Sequence, residues 1–64
     1  MTPDEVKRLR KKANLSQQEL SDILEVNRSA VAQWETGATN PSRSQVAMMK
    51  AMEEAIDKRE EKEW

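Results

Sequence analysis

The stretch LSQQELSDILEVNRSAVAQWETG, residues 15–37, constrains the fold more than any other part of the chain, because it holds two helix starts and one helix stop. Ser16 and Glu19 have the spacing of a capping box: the hydroxyl accepts from the amide of Glu19 and the carboxylate accepts from the amide of Ser16, so a helix begins at Gln17. Leu20, Ile23 and Leu24 then share one face. Glu25 and Val26 form a turn, and Asn27 offers a side-chain oxygen to the free amides of a second helix. Gly37 supplies the left-handed residue that ends it. Two helices of about eight residues joined by roughly three residues have the geometry of a helix-turn-helix, here spanning about residues 17–36.

The flanking sequence is helical too. Thr2 and Glu5 repeat the capping-box spacing, Pro3 occupies the first-turn position it tolerates, and Val6, Leu9 and Ala13 recur at helical spacing. A first helix therefore runs from Pro3 to Lys12 or Ala13, with Asn14 and Leu15 as the link to the second. Ala38 to Asn40 has loop character, and Asn40 with Pro41, or Ser42 slightly later, opens a last helix over about residues 41–62. No segment has strand character. The fold class is all-α: a compact four- to five-helix bundle with an elongated C-terminal helix, one domain over residues 1–64.

Composition narrows the chemistry. Without cysteine there is neither a disulfide framework nor a thiolate metal site, and without histidine the commonest general base and metal ligand are missing. The carboxylates of the C-terminal segment alternate with bases as on a solvated helix, so no enzyme, metal site or cofactor is expected. No apolar run has the length to cross a bilayer, and Thr2-Pro3-Asp4-Glu5 does not resemble a basic leader, which points to a reduced, cytoplasmic protein. The net charge of −1 hides an asymmetry. Residues 1–50 carry eight Lys or Arg against six Asp or Glu, whereas residues 51–64 carry three against six. Five of the cations lie in KRLRKK, residues 7–12, so an acidic tail masks a basic end.

Helix three divides into two faces at 3.6 residues per turn. Val31 and Trp34 point together as core, with Glu35 and Asn27 beside them; Ser29, Ala32, Gln33 and Thr36 lie opposite, flanked by Arg28. That outer set suits the major groove of DNA: arginine grips guanine O6 and N7, glutamine pairs with adenine N6 and N7, and a small methyl touches the thymine methyl. An amphipathic helix also exposes polar residues with no partner at all. The neighbouring turn, the capping signals and the basic first helix favour the groove, with Arg28, Ser29, Ala32 and Gln33 reading bases.

Leu15-Ser16-Gln17, Glu19-Leu20, Val31 and Gln33-Trp34-Glu35-Thr36-Gly37 resemble the helix-turn-helix of the phage lambda repressor and Cro family, also called the XRE family, over roughly residues 4–50. The resemblance implies that helix three enters the major groove while helix two crosses above the backbone. It implies a phosphate at Gln17 and the free amides beside it, and a pairing of Arg10 with Glu35 that locks the fold. Gln18, Thr36, Thr39 and Lys12 complete the candidate phosphate contacts, and Lys7, Arg8 and Lys11 either join them or simply solvate helix one. Two positions depart from the family pattern: Glu25 stands where glycine is common in the turn, and Ser21 where a small alanine usually sits. A left-handed Glu costs on the order of 1 kcal/mol.

In the last helix Val46, Met49 and Ile56 form a stripe that Met48, Met52 and Ala55 widen beyond what a small core needs. Met48, Met52, Ala55 and Ile56 are the candidate dimer interface, with methionine as filler in a loose core as the plainer alternative. Trp64 either anchors that dimer or hangs free, and Glu54 with Lys58 and Arg59 with Glu63 have i,i+4 spacing. The function expected is a sequence-specific regulator of transcription, a homodimeric repressor on an inverted-repeat DNA operator. The alternatives are an antitoxin that also binds a toxin through the last helix, and the controller of a restriction or phage operon.

Overall fold

A computed structural model describes the backbone of residues 1–62 and the side chains of residues 1–59. Four α-helices follow one another: α1 (Pro3–Lys12), α2 (Gln17–Leu24), α3 (Arg28–Thr36) and α4 (Arg43–Lys62). There is no strand among the described residues, and no helix among them is long and apolar enough to cross a membrane. Arg59 with Glu63, and Trp64, named above as a helix pair and a dimer anchor, reach outside the described residues.

Local chemistry fixes the starts of three helices. Thr2 Oγ1 accepts from the Glu5 amide at 3.2 Å while Glu5 accepts from the Thr2 amide at 2.9 Å. Ser16 and Glu19 do the same at 3.1 and 2.9 Å. At α4 the cap is Ser42: its hydroxyl accepts from the Gln45 amide at 3.3 Å and Gln45 Oε1 accepts from the Ser42 amide at 2.8 Å, so the helix opens just past Pro41. The Asn27 cap is a correction. Its backbone is extended as an N-cap requires, but its side chain makes no capping bond. Residue N3 here is Ala30, which has no carboxylate to complete a box, and its amide donates to the Asn27 carbonyl at 2.9 Å instead.

The three helix ends share one device. Asn14, Glu25 and Gly37 all adopt the left-handed conformation, with φ of 60°, 58° and 86°. After each, an amide folds back onto the last turn: Leu15 donates to the Arg10 carbonyl, Val26 to Ser21 and Ala38 to Gln33, each at 3.0 Å. These closures make the links between α1, α2 and α3 short and fixed.

Val6 and Leu9 of α1, Leu20 and Leu24 of α2, Val31 and Trp34 of α3 and Met49 of α4 form one buried cluster. Leu15, Val26, Ala30, Met52 and Ile56 pack around it. Ser21 is wholly buried and its hydroxyl donates to the Gln18 carbonyl at 2.7 Å, so a polar side chain sits inside with its proton satisfied. Ile23 is a second correction: the stripe Leu20, Ile23, Leu24 is not the inner face, since Ile23 is 46% exposed. The small Ser21 lets α2 turn its other side against its neighbours, and the inner line becomes Leu20, Ser21 and Leu24.

Candidate nucleic-acid interface

The outward face of α3 exists because its inward face is anchored. Val31 is fully buried, and Trp34 and Glu35 nearly so. With that side committed, the helical period turns Arg28, Ser29, Gln33 and Thr36 outward, and all four are exposed; Ala32 lies between the faces, half-buried.

Glu35 ties this helix to the rest of the domain. Arg10 Nε donates to Glu35 Oε2 at 2.7 Å and Nη2 donates to Oε1 at 3.1 Å, a two-pronged pair, while Nη1 reaches the Leu15 carbonyl at 3.0 Å. Gln17 Nε2 donates to the same Glu35 Oε1 at 3.2 Å. Burial pushes the Glu35 carboxyl upward, but the bonds from Arg10 and Gln17 and the charges of Arg10 and Lys7 outweigh it, holding the group below the ordinary carboxylate value. Its hydrogen bond to Glu35 holds the Arg10 guanidinium above its usual value. Thus α1, α2 and α3 meet at one polar junction, and Gln17 keeps a second amide hydrogen for an outside acceptor.

The remaining candidate phosphate ligands are dispersed. Gln18 is exposed, and its Nε2 donates within α2 to Asp22 Oδ1 at 2.8 Å. Thr36 spends its hydroxyl proton on the Gln33 carbonyl at 3.1 Å. The Thr39 hydroxyl approaches Gln33 Oε1 at 3.5 Å, a contact that sequence spacing does not foretell because it depends on how the loop returns after Gly37. Lys12 forms an ion pair with Asp57 of α4. Lys7, Arg8 and Lys11 line a groove on the outer side of α1 together with Asp4 and Lys12. Arg43 and Lys50, cations that sequence reading passed over, flank a second groove with Pro41, Val46 and Ala47.

On α4, Met48 and Ala55 are exposed, whereas Met52 and Ile56 are partly buried against the core. Glu54 and Lys58 pair at 3.8 Å on its surface. No cluster of three or more metal-ligating side chains occurs among the described residues.

Among models of protein families, the helix-turn-helix model matches residues 6–62. No curated protein and no solved structure matches the chain.

Proposed function

The chain belongs to the helix-turn-helix family of lambda repressor and Cro type, DNA-binding regulators of transcription, and from that premise we propose that it is a dimeric repressor of an inverted-repeat operator. Helix α3 lies in the major groove, where Arg28, Ser29, Ala32 and Gln33 meet base edges. The single observation that carries this reading is the division of α3 itself: Val31, Trp34 and Glu35 are buried, and the polar residues opposite them are exposed with donors and acceptors matched to bases. Gln17, with the amides at the start of α2, holds one phosphate and fixes the register. Gln18 adds to it, Thr36 does so where its hydroxyl leaves the Gln33 carbonyl, and Lys12 joins them where it exchanges Asp57 for DNA.

Dimerisation runs through α4. Met48 and Ala55 leave apolar surface uncovered beside the partly buried Met52 and Ile56, which supports a second copy of the chain as the cover. Two such domains span half-sites whose centres are about 34 Å apart, one turn of the duplex. Occupying a promoter then blocks transcription.

Selection of bound duplexes from a random pool tests the reading. The wild type enriches a two-fold symmetric site, and Gln33→Ala relaxes one base position in each half by roughly 1 to 3 kcal/mol. Association that ignores sequence, or a variant whose base preferences equal those of the wild type, overturns the major-groove assignment. Enrichment of a single half-site with no symmetric mate overturns the dimer alone.

A further inference from the structure

An exposed glutamine is a poor reader of bases unless something fixes its end. Its amide has two donors on one side and an acceptor on the other, and rotation by half a turn exchanges them at little cost. Gln33 is exposed, yet its end is not unattended: Thr39 Oγ1 lies 3.5 Å from its Oε1. The backbone that brings Thr39 there is built on Gln33 itself. The Gln33 carbonyl accepts from the amides of Gly37 and Ala38 at 3.0 Å and of Thr39 at 3.5 Å, and from Thr36 Oγ1 at 3.1 Å. The left-handed Gly37 makes that return possible, because it bends the chain back across the last turn of α3. So the loop after α3 is fastened to one residue at its main chain and meets the same residue again at its side chain.

We propose that Thr39 is a positioning residue for base reading: its hydroxyl holds Gln33 Oε1, so that the Nε2 hydrogens face the groove. This rests on the reading of α3 as the groove helix. Gln33 then presents donors first, and selects a base edge that carries acceptors, guanine N7 and O6 above all, against the N4 donor of cytosine. Thr39 acts on sequence preference, whereas a threonine bound to phosphate acts on affinity for every sequence alike.

The test uses the full chain and the duplex enriched by selection, with all four bases in turn at the position that Gln33→Ala relaxes. Fluorescence anisotropy across a range of salt concentrations measures each complex for the wild type, Thr39→Val, Thr39→Ser, Gln33→Ala and the Thr39→Val/Gln33→Ala double variant. Thr39→Val loses about three- to tenfold of the preference at that one position, the worth of one net hydrogen bond. Thr39→Ser restores it, the salt slope stays that of the wild type, and the double variant loses no more preference than Gln33→Ala. Equal weakening on all four duplexes with a shallower salt slope assigns Thr39 to a phosphate and overturns the proposal, as does a preference unchanged in Thr39→Val. Wild-type binding with no preference at any base sinks the groove reading itself, and Thr39 with it.

Discussion

Glu35 is the residue on which the site turns. It is one carboxylate serving three helices: Arg10 grips it from α1, Gln17 touches it from α2, and it belongs to α3, whose opposite face exposes Arg28, Ser29, Gln33 and Thr36. A buried ion pair is weak evidence for net stability, because desolvation offsets the attraction, but losing one partner strands the other. Since the native Glu35 carboxyl is held below its ordinary value, its contribution is complete above the unfolded value of about 4.3 and is lost as pH falls through the lower native one. Glu35→Gln should therefore cost about 3 kcal/mol at neutral pH. It should also flatten the loss of stability below pH ~4. Urea unfolding at neutral and acid pH measures both, and an acid limb as steep as that of the wild type would contradict the assignment. Sequence spacing alone left this junction invisible, since Arg10, Gln17 and Glu35 are far apart along the chain. Only the likeness to a family pointed to the pair, and nothing pointed to Gln17 as its third member.

Among the elements, the helix ends were the more local problem and the starts the more legible. Thr2 with Glu5 and Ser16 with Glu19 could be read directly, because a capping box needs only residues three apart. Asn27 could not, since whether its side chain turns inward is decided by its surroundings and by the alanine at N3. Ile23 was misread for a related reason. The rotation of α2 about its own axis depends on where a small residue permits close approach, and Ser21 supplies that place. The turn after α2 retains strain: Glu25 holds φ of 58°, a conformation that glycine adopts freely. Glu25→Gly should raise stability by up to about 0.5 kcal/mol, the left-handed penalty less the added freedom of the unfolded chain. Thermal melting decides it, and a lowered midpoint would mean that the Glu25 side chain contributes more than its backbone costs.

At the scale of the whole molecule, a small bundle carries a long fourth helix that its own core covers only in part. Met49 is fully buried, Met52 and Ile56 touch the core from its edge, and Met48 is 44% exposed. The apolar width of α4 was legible from its period, but the division of that stripe between core and open surface follows from how α1 lies against it. Met52→Glu should shift sedimentation toward the single chain and weaken operator binding, because two linked domains hold DNA better than one. An unchanged sedimentation profile would remove α4 from the interface. The bond between Lys12 and Asp57 gives that helix a further meaning. It ties the first helix to the far half of the fourth at the surface, a contact worth at most about 1 kcal/mol beside the burial of Met49 that anchors the arm. In a symmetric pair such an arm works as a caliper with a light catch, one that opens where Lys12 exchanges Asp57 for DNA.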